Sequence, residues 1–150
     1  MRIDRAEAWL NTAAKPARAD LIIEGAVTVF DGFATFNEPI RVQVGSRILE
    51  LQPQKNGVAT DPRGRLRVIN ADEYGVVRGG VMEFELVLSG ADWMREVELA
   101  AANSSLSSLT MVPAPEATSQ TREPILTLSL DVGRGHHVAQ RTIVRRAQAE

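Results

Sequence analysis

One stretch limits the fold more than any other. Residues 79–93 read Gly-Gly-Val-Met-Glu-Phe-Glu-Leu-Val-Leu-Ser-Gly-Ala-Asp-Trp. Met82, Phe84, Leu86 and Leu88 alternate with Glu83, Glu85, Val87 and Ser89. A repeat of two places the first set on one face of a strand and the second on the other. Two glycines open the run and Gly90 closes it. Asp92 then stands at a helix N-cap position, ahead of a short helical pattern. The stretch predicts a central strand of an antiparallel sheet, packed on one face and mostly solvated on the other.

Further strands are expected around it. Asp20–Phe30 puts Leu21, Ile23, Val27 and Val29 on one face, with Gly25 marking a bulge or a close backbone approach. Asp31–Pro39 reads as a loop carrying Phe33 and Phe36. Ile40–Val44 and Arg47–Leu51 form a hairpin about the two-residue turn Gly45-Ser46. Pro53–Gly64 is turn-rich, Arg65–Ile69 is a short strand, and Asn70–Gly80 is a loop. Trp93–Ala102 reads as a short helix with Trp93, Val97 and Ala101 on one stripe. Asn103–Glu123, rich in Ser, Thr, Pro and Ala, is expected to be a long mobile loop. Ile125–Val132 and His137–Arg145 complete the set, and the tail Arg146–Glu150 is expected to fray. Residues 4–14 fit either a helix, with Asp4 and Glu7 as a capping box, or a strand over Arg5–Leu10 with Ala6, Ala8 and Leu10 on one face.

The result is an all-β domain of about eight strands with one short helix. No βαβ alternation occurs, so a parallel sheet is not expected. The pattern fits an antiparallel two-sheet sandwich of immunoglobulin-like type, though without the Cys–Trp–Cys signature. A closed barrel is the runner-up. At 150 residues the chain is expected to be one domain. Its apolar share of 44% can build a core, and its 5% aromatic share means aliphatic residues must fill it.

Charge and composition exclude several functions. A net charge of −2 gives no bulk attraction to nucleic acid or to an anionic membrane. The absence of cysteine removes disulfides, thiolate metal sites and a cysteine nucleophile. No run is apolar and long enough to span a bilayer, and Met1–Arg5 leads into no signal core.

The polar clusters read more simply as structure than as chemistry. His136 and His137 are adjacent, so on a strand they face opposite ways and do not share a metal. Glu83 and Glu85 share a strand face, where Arg65 and Arg67 are candidate cross-strand partners. Asn70–Gly75 is acidic and turn-like, but its spacing does not match a calcium-binding EF-hand loop. Ser104, Ser105, Ser107 and Ser108 sit in no nucleophile elbow. Arg63, Arg65, Arg67 and Arg78, and separately Arg141, Arg145 and Arg146, lack the stacking aromatics of a nucleic-acid surface. Gly79-Gly80 and Gly133-x-Gly135 open no helix and so cradle no phosphate. No cofactor or metal is expected.

The order of motifs resembles the repeated immunoglobulin-like modules of large secreted and surface proteins of bacteria. The matching residues are Trp9-Leu10-Asn11, Lys15-Pro16, Asp20–Gly25, Asp61-Pro62-Arg63-Gly64, Phe84–Trp93, and the closing hairpin of Leu126–Val132 with Val138–Val144. The resemblance favours the strand at Arg5–Leu10. It implies a non-catalytic structural or interaction module, extracellular or at the cell surface. Its partners would be proteins, either adjacent modules or a second copy, met through edge strands at Arg2–Leu10 and Val138–Arg145. The second reading is a carbohydrate-binding module, for which Trp9, Tyr74 and Trp93 are the candidate platform residues. Neither nucleic acid nor membrane insertion is expected.

Overall fold

A computed structural model describes residues 1–11, 18–90, 93, 95, 125–133 and 135–147. The described residues form two packed antiparallel sheets and a small third one. The strands are β1 (Arg2–Asn11), β2 (Arg18–Thr28), β3 (Phe33–Ala34), β4 (Ile40–Val44), β5 (Arg47–Leu51) and β6 (Val58–Asp61). They continue with β7 (Gly64–Val68), β8 (Val76–Val77), β9 (Val81–Ser89), β10 (Ile125–Val132), β11 (Gly135–Thr142) and β12 (Val144–Ala147). The six-stranded sheet runs β12-β1-β2-β9-β7-β6 and the four-stranded sheet runs β11-β10-β4-β5. Among the described residues the sheet edges do not join, so the arrangement is a sandwich and not a closed barrel.

All eight expected strands are present, and β1 is a strand rather than a helix. β9 lies inside the six-stranded sheet, between β2 and β7. Its alternation is realised in full: Met82, Phe84, Leu86 and Leu88 are fully buried. Leu21 and Ile23 of β2 join them on the inner face. Ile40, Val42, Leu128 and Leu130 of the four-stranded sheet complete the same core. Each such aliphatic side chain contributes about 1.5–3 kcal/mol of burial.

Gly25 marks the close approach its position predicts. A Cβ there would lie 2.3 Å from the Arg2 carbonyl oxygen and 3.1 Å from the Phe84 ring. Opposite it, β1 bulges: Ile3 pairs with Gly25, and the next pair is Arg5 with Glu24. The extra residue, Asp4, lets both Ile3 and Ala6 turn inward.

Four short elements add to the expected set. β3 and β8 pair across the two loops at the end of the sandwich where β2 finishes. β6 folds back on β7 about the turn at Pro62-Arg63, where the Asp61 carboxylate accepts the Arg63 N–H at 2.9 Å. The last expected strand is two. β11 pairs with β10, and β12 pairs in parallel with β1 in the other sheet. Ile143, fully buried, is where the chain changes sheets. This parallel pair is the one departure from antiparallel order among the described strands.

The expectations for the helix Trp93–Ala102, the loop Asn103–Glu123 and the tail Arg146–Glu150 fall largely or wholly outside what is described. Trp93 is the exception of interest. It is 2% exposed and belongs to the core. It follows β9, and the Arg47 guanidinium, next to the β4–β5 turn, lies 5.6 Å from its ring centre.

Candidate functional site

The three aromatic candidates do not meet. Trp93 is buried beneath Arg47 and offers no platform. Trp9 lies near the lower end of β1, opposite Asp20, is half-buried, and donates its ring N–H to Glu7 at 3.0 Å. Tyr74 sits at the opposite end of the sandwich, in the loop before β8, and is 67% exposed.

The Tyr74 loop is built by Asp72. One carboxylate oxygen of Asp72 accepts the N–H groups of Tyr74 at 2.8 Å and Val76 at 3.0 Å. The other accepts from the Arg78 guanidinium at 3.4 Å. The Val76 N–H above all, with the Tyr74 N–H and Arg78, holds the carboxyl below its ordinary range. A carboxylate so engaged, with a guanidinium in attendance, is a turn-former rather than a calcium ligand. Gly75 has φ +76°, and a Cβ there would lie 2.6 Å from the Lys55 carbonyl oxygen. Thr35, fully buried, donates its hydroxyl to the Gly75 carbonyl at 3.0 Å and ties the loop to β3.

His136 and His137 separate as adjacent strand residues must. His136 is exposed and its Nδ1 bonds the Asp131 carboxylate. His137 is half-buried on the other face, and burial lowers its pKa. Among the described residues no group of three His, Asp or Glu side chains could hold a metal.

Two open clefts lie among the described residues. One, of about 500 Å³, lies where the last strand leaves the four-stranded sheet, with Asp4, Arg5, Glu7 and Arg141 on its walls. Arg141 points inward from β11 and donates to the Ile3 carbonyl at 3.2 Å. The other, of about 490 Å³, has Glu38, Pro39, Asp131 and His136 on its walls.

The outer sheet faces hold most of the charge. On the six-stranded sheet, Arg5, Glu24, Glu85 and Arg67 stand in one row across β1, β2, β9 and β7. Arg5 bonds Glu24 at 3.2 Å and Glu7 at 2.8 Å. The register thus gives Glu85 the expected neighbour, Arg67, while Arg65 stands opposite Val87. On the four-stranded sheet the row across β11, β10, β4 and β5 is His136, Asp131, Arg41 and Glu50. The row below it is Val138, Ser129, Gln43 and Ile48. Sequence reading placed the outward residues but not these rows, because register between distant strands carries no local signal.

The strand edges are partly as expected. β11 is an edge of the four-stranded sheet. β1 is not an edge over Glu7–Leu10, where β12 covers it, and among the described residues Arg2–Ala6 has no strand on that side. Ala8 is therefore flanked by strands on both sides and fully buried. No protein-family model, curated protein or solved structure matches the chain.

Proposed function

We propose that this chain is a non-catalytic structural or interaction module of a bacterial extracellular or cell-surface protein, of the immunoglobulin-like kind its motif order resembles. The parallel pairing of the first and last strands carries the reading. β1 begins beside Ala26, and β12 ends beside Leu10 at the other end of the sheet. The first described strand thus begins at one end of the sandwich and the last described strand finishes at the opposite end. Units of that kind follow one another head to tail without a return loop.

Adjacent modules are the natural partners, and an open edge is the natural contact. The upper edge of β1 suits this better than β11, whose inward-pointing Arg141 is a device that blunts edges. The test is a tandem of two copies joined by a short linker, measured by small-angle scattering. Its longest dimension is expected to be close to twice that of one copy; two units folded side by side would refute the tandem arrangement. For placement, protease treatment of intact cells should cut the native protein, and full protection would remove the surface assignment.

Tyr74 keeps the carbohydrate-binding reading in play. It is an exposed ring on a turn fixed by the three hydrogen bonds to the Asp72 carboxylate and by the Thr35 tie. A glycan array tests it directly: strong binding by the native chain that Tyr74→Ala abolishes would replace the structural reading.

A further inference from the structure

The two outer sheet faces carry charge rows of different symmetry. On the four-stranded sheet the row is His136, Asp131, Arg41 and Glu50: an imidazole, an acid, a base and an acid. On the six-stranded sheet the row is Arg5, Glu24, Glu85 and Arg67, with signs plus, minus, minus, plus. Read backwards, the first row sets acid against base at its centre, and the second is unchanged.

That difference decides which face can meet itself. Consider two copies packed face to face about a two-fold axis running along the strands. The axis reverses the strand order and keeps each row at its level. On the four-stranded face, Asp131 then meets Arg41 of the second copy and His136 meets Glu50 of the second copy. On the six-stranded face, Glu24 would meet Glu85 and Arg5 would meet Arg67, so like charge would oppose like.

The neighbouring row agrees. Val138 and Ile48 occupy its ends, 51% and 41% exposed. The same axis stacks Val138 on Ile48 of the second copy. Ser129 and Gln43, in the middle, then meet as hydrogen-bonding partners. Further down, Gln140 bonds Thr127 at 3.0 Å, an uncharged pair. A nucleic acid or an anionic membrane would need a face of positive sign, whereas this row mixes acid and base.

We propose that the outer face of the four-stranded sheet binds a second copy of this chain, as an isologous dimer with the axis between β10 and β4. Four strands about 4.8 Å apart make a face at the small end of specific interfaces. The six-stranded face, with its unchanged sign order, resists the wrong pairing. This inference does not rest on the tandem reading, since a lone copy presents the same face.

Sedimentation velocity of the full chain over a hundredfold concentration range tests it. The native chain is expected to pass from monomer to dimer. Arg41→Asp places like charges together twice per dimer and should weaken association by about tenfold or more. Val138→Arg, on the uncharged row, should do the same with an unchanged circular dichroism spectrum. Arg67→Asp on the other face should leave the dimer intact, as should Thr142→Pro on the β11 edge. A native chain that stays monomeric throughout overturns the proposal. So does a dimer that survives both Arg41→Asp and Val138→Arg, or one that only Thr142→Pro dissolves, which would mean edge pairing.

Discussion

Trp93 shows how much a single side chain can hold. It is 2% exposed at the end of the sandwich where β9 finishes, with Arg47 across its ring. No other tryptophan reaches the described core, and the aliphatic residues around it cannot spread to fill so large a space. Trp93→Ala is expected to cost roughly 3–5 kcal/mol of unfolding free energy. A urea or guanidinium titration reads this as a lowered midpoint, and an unchanged midpoint would contradict the burial. Apolar placement at this scale was legible: Gly90-Ala91-Asp92 ahead of an aromatic marks the end of a strand, and the ring had few other places to go. Trp9 was less legible. Its alternation on β1 puts it on the outer face with Glu7, but the bond from its ring N–H to the Glu7 carboxylate depends on side-chain rotamers, which periodicity does not reveal.

At the scale of the element, the Asp72 turn carries a pH dependence whose sign is fixed. Backbone N–H donors from Val76 and Tyr74, with Arg78, lower the folded pKa of Asp72. A lowered carboxyl pKa contributes stability above its ordinary value of about 3.9, and that contribution is lost as pH falls below it. Acid should therefore loosen this turn before the sheets. Amide exchange of Tyr74 and Val76, corrected for intrinsic rate, is expected to rise between neutral pH and about pH 3. Asp72→Asn should flatten that rise, and an equal rise in both proteins would sink the account. The eight longer strands were readable from period two, whereas the short ones were not. β3 and β8 have two residues each, too few for any alternation, and exist because Thr35, Asp72 and Gly75 hold two loops together. β6 is four residues inside turn signals. β12 was hidden for another reason. The inward parity of Ala139 and Arg141 runs on unbroken to Ile143, so nothing in the pattern marks the change of sheet.

For the whole molecule, that change of sheet is the main structural decision. β11 belongs to one layer and β12 to the other, and Ile143 sits fully buried between them. A chain stopped after Thr142 loses this isoleucine and leaves β1 as a bare edge. The loss is expected to be at least about 2–5 kcal/mol, the usual cost of truncating a buried isoleucine. Denaturant titration with light scattering would show a lowered midpoint and added association through β1; equal midpoints would mean the last strand holds little. The same arrangement has a mechanical side. β1 and β12 lie side by side along four residue pairs, with the chain's entry above one and its exit below the other. Tension applied to the two ends pulls these strands in opposite directions along their shared axis. The four pairs then bear the load together in shear, instead of parting one after another like the teeth of a zip.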